Sequence, residues 1–406
     1  MSSTTLTSSA TIPLDTKSAE EHLMRFLRVE GLSGQEKAIG EAVVDELKKV
    51  GVPVSAIRFD NVYERIPAPT QTGNLFVDLP GTRPGSRLVF AAHLDTVQMC
   101  AGAKPSRKGD RIVSDGSTAL GGDNRTGCAV LVSLAETLLK HKLPHPPISL
   151  MFLVREESGI QGARYMAKAD LKGATMCFNF DSKLVGELIT GAVGQENWDV
   201  EIQGKAAHAG LAPENGISST LVAAVGLVEA RRAGWFGKVV KAEGKGTSNV
   251  GVFGGKDGKA AGEATNVVTD YAYVKGEARS ADAAFAVVIA AGYREAFKKA
   301  QAEVKNADGV MADVKFEQVT SYPPFNQRDD QPVVKHAIKA AESIGLKPTI
   351  VYSNGGLDAN WLVTHGLPTV TFGAGQNEVH TVNEYVDVPE FLQACRVAVA
   401  AATLED

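Results

Sequence analysis

The sequence Phe90-Ala-Ala-His-Leu-Asp-Thr96 ends a short apolar run with one imidazole and one carboxylate two residues apart. The residues at 86–92 predict a buried β-strand. Because side chains alternate between the two faces of a strand, His93 and Asp95 are expected to point in the same direction. Such a pair at the carboxyl end of a strand suits a metal site or a base with its orienting partner. Taken alone, the pair favours a strand whose last residues merely reach solvent.

Further apolar runs along the chain indicate the class of fold. Residues 148–154 are a continuous apolar run, which is typical of a strand buried on both faces, and residues 174–180 predict another apolar strand. The stretch between Thr96 and Gly122 is polar and punctuated by glycine, which predicts a loop. Helical periodicity covers three stretches, namely 17–29, 34–50 and 126–139. Strands that alternate with helices in this way predict an α/β domain with a mostly parallel sheet.

The pattern changes near Glu196 and returns to alternating strands and helices after Pro324. Between these points the predicted order is βαββαβ, with elements at 198–203, 217–232, 246–254, 266–278, 281–304 and 311–321. This order is the signature of a small ferredoxin-like unit. The economical interpretation is one α/β domain, formed by residues 1–195 and 323–406, that is interrupted by an inserted domain at 196–322.

The composition limits the classes of function. The chain has 406 residues, of which 44% are hydrophobic and 22% charged, and its net charge of −5 predicts neither nucleic acid nor an acidic membrane surface as a partner. No window approaches the roughly 18 apolar residues of a membrane span. Residues 1–10 are rich in Ser and Thr and lack the apolar core of a signal peptide, so we expect a disordered tail. The four cysteines are widely separated, which favours free buried thiols in a reducing cytoplasm.

Acidic and imidazole side chains recur where the predicted strands of the α/β domain end. Asp123 lies in a glycine-rich approach to a helix, and the others follow apolar strands directly or after a short loop. Ligands bind at the carboxyl ends of strands in open α/β sheets, so we expect these groups to meet at one edge. The full set consists of His93, Asp95, Asp123, Glu156, Glu157, Asp181 and His380.

The mixture of side chains points to metal chemistry. Imidazole together with carboxylate suits zinc or a similar divalent ion. Two ions about 3.5–4 Å apart need a bridging oxygen ligand, which a carboxylate supplies. The adjacent Glu156 and Glu157 can divide two tasks, one binding metal while the other stays free to accept a proton. A serine hydrolase fits poorly, because the sequence has no GxSxG motif.

At this point the chain resembles the peptidase T-like members of the dizinc exopeptidases, a family that also includes glutamate carboxypeptidases and aminoacylases. The resemblance runs from the first helices to His380 and includes the insertion. It is carried by six motifs, which are His93-Leu-Asp95, Ser114-Asp-Gly-Ser-Thr-Ala-Leu-Gly-Gly-Asp123, Glu156-Glu157, Phe180-Asp181, Gly204-Lys-Ala-Ala-His-Ala-Gly210 and Glu378-Val-His-Thr-Val-Asn383.

The resemblance implies a role for each group in the cluster. Asp123 would bridge two Zn²⁺ ions, with Co²⁺ or Mn²⁺ as alternatives. His93 and Asp181 would complete the ligands of one ion, and Glu157 and His380 those of the other. The peptide bond that follows Asp123 would be cis.

The other two residues of the cluster, Asp95 and Glu156, would not bind metal. Asp95 would orient the ring of His93. Glu156 would be the general base that activates water and then protonates the leaving amine.

The resemblance also implies substrate contacts beyond the metal cluster. The inserted domain would be a lid and a dimerisation domain, in which His208 donates to the substrate carbonyl and Asn266 and Arg279 bind polar groups of the peptide. From sequence alone His208 is equally well a surface histidine. Gly355 and Gly356 would form a turn near the site. The following Asp358 fits either that turn or a helix cap.

These expectations give three hypotheses about function. The first is a cytoplasmic, dimeric dizinc aminopeptidase that acts on short peptides. The second is a carboxypeptidase or an N-acyl-amino-acid hydrolase with the same metals, because Asn124 and Asn354 replace the Asp and Arg of strict tripeptidases. The third is a metal-dependent peptide-binding protein without catalysis, against which the presence of Glu156 argues.

Overall fold

The chain folds into two compact units. The computed structural model describes residues 12–405. One unit consists of the residues up to Ala192 and from Phe325 onward, and the other consists of Val193–Pro324. The tail predicted for residues 1–10 lies outside the described residues. Among residues 12–405, no helix is long and apolar enough to cross a bilayer.

Helices and strands alternate through most of the first unit, and a block of strands with two helices makes up the second. The helices are α1 (Thr16–Phe26), α2 (Lys37–Lys49), α3 (Gly122–His141), α4 (Gln161–Tyr165), α5 (Ser219–Arg232), α6 (Ala283–Glu303), α7 (Pro332–Ser343), α8 (Asp358–Thr364) and α9 (Val388–Thr403). The strands are β1 (Ile57–Phe59), β2 (Leu75–Leu79), β3 (Leu88–His93), β4 (Ser106–Lys108), β5 (Arg111–Val113), β6 (Ile148–Leu153), β7 (Met176–Phe180), β8 (Glu187–Ala192), β9 (Gly194–Gln203), β10 (Gly237–Lys241), β11 (Gly244–Gly254), β12 (Tyr271–Ser280), β13 (Asp313–Tyr322), β14 (Phe325–Asn326), β15 (Thr349–Ser353), β16 (Thr369–Phe372), β17 (Gln376–Asn377) and β18 (Tyr385–Asp387).

The large sheet of the first unit has the strand order β1-β2-β6-β3-β7-β16-β8-β14, and β15 pairs with β8. Its central strands β6, β3, β7 and β16 are parallel to one another. Helices of the same unit pack around this sheet, which confirms the predicted α/β class. Because the central strands are parallel, their carboxyl ends meet at one edge of the sheet.

Apolar packing holds the central strands of the large sheet, and therefore their carboxyl ends, in place. Every residue of β3 and β6 is buried, which explains their continuous apolar sequences. Helix α3 packs against β3, α1 and α9, and the alanines of α9 allow a close approach. Aromatic rings pack across the central strands, with centroids 5.5 Å apart for Phe90 and Phe178 and 5.5 Å for Phe180 and Phe372. The residues that follow these strands therefore start from well-packed positions.

Two local predictions for the first unit are wrong. The stretch between Thr96 and Gly122 contains the antiparallel hairpin β4–β5, which pairs with β18 to form a small second sheet. Each strand of the hairpin has three residues, too few for an alternating pattern to be recognised. Helix α2 begins at Lys37 rather than at residue 34. Residues 29–36 therefore form a connecting segment between α1 and α2.

The second unit is a single antiparallel sheet with the order β10-β11-β12-β9-β13, onto which α5 and α6 pack. Without β10, this order is that of the predicted ferredoxin-like unit, and β10 adds an edge strand that the sequence pattern missed. Strand β9 alternates between buried and partly exposed residues as expected, and Trp198 stacks on Tyr293 with ring centroids 4.3 Å apart. Gln195 pairs with Tyr322, so the two ends of this unit lie side by side.

Candidate metal centre

Residues from the four central strands meet at the carboxyl edge of the large sheet. His93 is the last residue of β3, the Glu156–Glu157 pair follows β6, and Asp181 follows β7. His380 lies beyond β16, after the short strand β17. Asp123 reaches the same edge from the start of α3, and the Asp123–Asn124 peptide is cis, as predicted. The sheet order thus brings together side chains that are up to 287 positions apart in the sequence.

The carboxylate of Asp123 lies between the two imidazoles. Its Oδ1 atom is 3.0 Å from Nε2 of His93, and its Oδ2 atom is 3.4 Å from Nε2 of His380. A second carboxylate accompanies each imidazole, since Oδ1 of Asp181 is 3.7 Å from Nε2 of His93 and Oε1 of Glu157 is 2.8 Å from Nε2 of His380. The cluster therefore consists of two imidazole–carboxylate pairs that share Asp123.

These donor atoms fit a divalent metal. One ligand atom each from His93, Asp123 and Glu157 lie within 4.8 Å of one another. Imidazole nitrogen and carboxylate oxygen are the donors that zinc and similar ions prefer. His380 adds a further imidazole to the same cluster, although half of its side chain is exposed.

The carboxyl groups of the cluster crowd one another electrostatically. Burial, followed by the charge of Asp123, raises the pKa of Asp181 and raises that of Glu157 to about 7. Burial also raises the pKa of Glu156 well above its usual value. Hydrogen bonds to Asp123 and Glu157 raise the pKa of His380 to about 10. A bound cation would relieve this crowding, because it stabilises ionised carboxylates.

Asp95 contacts both His93 and the segment that carries the paired glutamates. Its Oδ1 atom is 3.4 Å from Nδ1 of His93, and its backbone oxygen is 3.1 Å from the same nitrogen. The carboxylate accepts hydrogen bonds from the backbone N–H groups of Glu156 at 2.9 Å and Glu157 at 3.2 Å, and from the hydroxyl of Ser33 at 2.5 Å. The side chain predicted to orient His93 therefore also fixes the position of the glutamate pair.

Two further polar side chains support the centre and were missed by the sequence analysis. The carboxylate of Glu384 accepts the backbone N–H groups of Leu120 at 2.8 Å, Gly121 at 2.9 Å and Asp123 at 3.1 Å. Gln376 donates to Oδ1 of Asp181 at 3.1 Å. Buried side chains that bind the backbone have no sequence pattern of their own. The only signal was that both residues lie within four positions of His380.

The predicted glycine turn lies between β15 and α8. The hydroxyl oxygen of Ser353 accepts the backbone N–H of Gly355 at 3.0 Å, and Gly356 follows it in the turn. Asp358 is fully buried, and neither of its carboxyl oxygens has a hydrogen-bond partner among the described residues. Asp358 therefore does not cap the helix that it begins. Burial raises its pKa well above the usual value.

The predicted substrate-binding residues of the second unit lie on two of its segments. His208 is exposed, and its Nδ1 atom accepts the backbone N–H of Gly210 at 3.1 Å. Asn266 is also exposed, and its backbone oxygen accepts the N–H of Ala209 at 2.9 Å. Arg279 lies on β12 and donates to both carboxylate oxygens of Glu277, at 2.8 and 2.9 Å. The guanidinium predicted to bind a polar group of the peptide thus binds a carboxylate from its own strand.

Comparison with known proteins gives consistent matches over most of the chain. The profile of peptidase family M20/M25/M40 matches residues 89–404. The uncharacterised protein YqjE of Bacillus subtilis (strain 168) is 32% identical over 329 residues, which cover 81% of this chain and 83% of that protein. The crystal structure of aminopeptidase PepT from Bacillus cereus superimposes with a TM-score of 0.79 at 32% identity, covering 96% of this chain and 98% of the other. A tripeptidase from Staphylococcus aureus gives a TM-score of 0.83 at 26% identity with the same coverage.

Proposed function

Because the chain belongs to peptidase family M20/M25/M40, we propose that this peptidase is a two-metal aminopeptidase, which releases the N-terminal residue of short peptides. The observation that carries the proposal is the position of the Asp123 carboxylate, with one oxygen beside each of the two imidazoles. That arrangement suits a bridging ligand. The names of the aminopeptidase and the tripeptidase that the chain resembles support the choice of the N-terminal bond.

The residues present fit two metal ions, and the donor set is the reason. His93 and Asp181 would hold one ion, His380 and Glu157 the other, and Asp123 both. When bound, the ions supply a Lewis acid that polarises the peptide carbonyl and acidifies water. We propose zinc as the metal, because imidazole and carboxylate are among its preferred ligands.

The protein's own acid–base chemistry rests on Glu156 in this proposal. Glu156 lies beside a proposed ligand, and burial raises its pKa, which suits a group that carries a proton during the reaction. It would take a proton from the attacking water and return it to the leaving amine. Asp95 holds the backbone of Glu156, so the base keeps a fixed position relative to the proposed ligand His93, which Asp95 also contacts.

Substrate contacts and assembly are also part of the proposal. His208 would donate to the substrate carbonyl, and Asn266 and Arg279 would bind polar groups of the peptide. For Arg279, a substrate carboxylate would have to replace Glu277 as the bidentate partner. We further propose a homodimer formed through the second unit. Four buried free cysteines fit an enzyme that works in a reducing cytoplasm.

The decisive experiment compares cleavage products together with metal content. A free tripeptide, its N-acetylated form and its C-amidated form are incubated with purified, chelator-treated and metal-restored protein. An aminopeptidase releases the first residue of the free peptide and spares the acetylated peptide, and it should cleave the amidated peptide more weakly if Arg279 binds the substrate carboxylate. Release of the last residue would identify a carboxypeptidase, and removal of the acetyl group would identify an N-acyl hydrolase. Tight metal and peptide binding without any cleavage would indicate a binding protein.

A further inference from the structure

Three successive backbone N–H groups at residues 155–157 donate to buried carboxylates from other parts of the chain. Arg155 donates to Oε1 of Glu36 at 3.1 Å, Glu156 to Oδ1 of Asp95 at 2.9 Å and Glu157 to Oδ2 of Asp95 at 3.2 Å. Asp95 belongs to the cluster described above, whereas Glu36 lies outside it, at the end of the 29–36 segment. Two carboxylates from different segments, Glu36 and Asp95, therefore hold the backbone at and before the glutamate pair.

Glu36 precedes α2, but its side chain does not cap that helix. Its side chain makes no capping hydrogen bond to the first turn of α2. Instead, Oε1 accepts the backbone N–H of Gly34 at 2.7 Å as well as that of Arg155. The residue is fully buried, and its Oε2 atom has no partner among the described residues. Burying a carboxylate costs free energy. Because Glu36 does not cap α2, its burial needs another explanation.

The backbone at Arg155 explains why an acceptor is needed there. Arg155 has a φ of 54°, a left-handed conformation that residues other than glycine rarely adopt. Such a conformation persists only when neighbouring groups hold it. It turns the chain between β6 and the glutamate pair, so it sets the direction in which Glu156 and Glu157 leave the sheet. Gly34 has a φ of 86°, and a Cβ there would collide with the guanidinium of Arg155.

The 29–36 segment is itself tied to the strand end that carries Asp95. The backbone N–H of Thr96 donates to the oxygen of Gly31 at 3.0 Å, and the N–H of Ser33 donates to the oxygen of Thr96 at 3.2 Å. The hydroxyl of Ser33 donates to Asp95. Glu36 and Asp95 thus belong to one hydrogen-bonded assembly, which spans the ends of two neighbouring strands.

We propose that Glu36 is a positioning residue, which fixes the peptide that precedes Glu156 and so sets the geometry of the base and of the ligand Glu157. The inference rests on the proposed function, since it assigns Glu36 a role through those two residues. Glu36 touches neither the substrate nor the metal in this role. It acts through the N–H of Arg155.

The contacts of Glu36 define the variants that test this role. Glu36→Ala removes the acceptor, whereas Glu36→Gln keeps one carbonyl oxygen for both N–H groups and places its NH₂ where Oε2 has no partner. Glu46→Ala is the matched control, because Glu46 is a buried glutamate of α2, the helix that Glu36 precedes. It pairs with His22, Arg25 and Lys49 and makes no hydrogen bond or ion pair with residues 155–157.

The measurements separate positioning from stability. Removing the support of a metal ligand typically lowers metal affinity or activity about 10–100-fold, and we expect a loss of this size in kcat for Glu36→Ala, with KM changed less than threefold. Glu36→Gln should stay within threefold of the wild type. Co²⁺ titration of the chelator-treated protein gives a readout besides activity. The visible spectrum of Glu36→Ala should change, while Glu46→Ala should keep the wild-type spectrum even if it unfolds at a lower temperature.

Three outcomes would overturn the inference. One is equal loss in Glu36→Ala and Glu46→Ala, which would indicate general destabilisation. Another is a Glu36→Gln variant as impaired as Glu36→Ala, which would show that the charge matters rather than the acceptor. The third is an unchanged Co²⁺ spectrum in an impaired Glu36→Ala. A wild type that neither binds Co²⁺ nor cleaves peptides would instead refute the proposed function, so the two failures are distinguishable.

Discussion

Glu384→Ala tests how far the buried support of Asp123 determines the centre. The carboxylate of Glu384 is 2% exposed and accepts the N–H groups of Leu120, Gly121 and Asp123. A buried donor left without an acceptor costs about 1–3 kcal/mol, so three donors cost about 3 kcal/mol at the lower limit. The lower limit applies because water can enter the space that the shorter side chain leaves. We therefore expect local loosening of residues 120–123 rather than loss of the whole fold.

Hydrogen exchange followed by mass spectrometry measures this loosening directly. A change of about 3 kcal/mol corresponds to roughly 100-fold faster exchange, because each 1.4 kcal/mol is tenfold. The faster exchange should be confined to peptides that contain residues 120–123. Since Asp123 is the proposed bridging ligand, the affinity for Zn²⁺ should fall about 10–100-fold in the same variant.

Two companion variants sharpen the experiment. In Glu384→Gln a single amide oxygen replaces two acceptor atoms, of which Oε2 serves Leu120 and Gly121 and Oε1 serves Asp123, so an intermediate effect is expected. Glu390→Ala is the control, because within residues 12–405 the side chain of Glu390 accepts only the N–H of Val185, at 3.0 Å. Exchange at 120–123 that is as slow in Glu384→Ala as in Glu390→Ala would refute the reasoning.

Three other changes have defined outcomes. Glu156→Gln should lower turnover of a tripeptide about 10²–10⁴-fold with metal content unchanged, as measured by kinetics and elemental analysis, and loss of metal would show that Glu156 is a ligand rather than the base. In chelator-treated protein, contacts with Asp123 and Glu157 raise the pKa of His380 from 6.5 to about 10, so the stability they add is complete below pH 6.5 and is lost as the pH rises through about 10. The Tm should accordingly fall over this range, and a His380→Ala variant with the same fall would contradict the assignment. Phe178→Ala should lower the free energy of unfolding by about 3–5 kcal/mol in urea denaturation, because the ring packs against Phe90 and Phe372, and a loss under about 1 kcal/mol would contradict this packing.

The sequence predicted those parts of the fold in which one physical signal dominates. Strands β3, β6 and β7 are nearly continuous apolar runs, and their limits lie within two residues of the predicted ones. Strand β8 (Glu187–Ala192) was missed, although all but its first residue are buried, because Thr190 and Gly191 interrupt its apolar sequence. Strand β10 was missed because only Val239 is buried in it. Patterns reveal elements with regular burial and fail where burial depends on partners far away in the sequence.

The strand-end residues of the site could be predicted from the sequence, whereas the acids that support them could not. The residues at strand ends could be found because parallel strands bring them to one edge, so His93, Glu156, Glu157 and Asp181 needed only the strand assignment. The supporting acids could not be found in this way. Glu36 was assigned to the first turn of a helix, but it accepts a backbone N–H 119 positions away. Contacts to the backbone carry no residue-type signal at the far end, so they become visible only in three dimensions.

The neighbouring ends of the second unit have a consequence for how the chain folds. Gln195 pairs with Tyr322, and in the first unit Ala192 pairs with Phe325 immediately outside that interval. Joining β8 to β14 through an unfolded loop of about 130 residues would cost about 4 kcal/mol of chain entropy. If the second unit folds first from its contiguous sequence, its two ends are already close together. Most of that chain entropy is then lost before β8 and β14 pair. An independently folding insert then acts on the larger sheet as a cross-link would, by shortening the search that the unfolded chain must make.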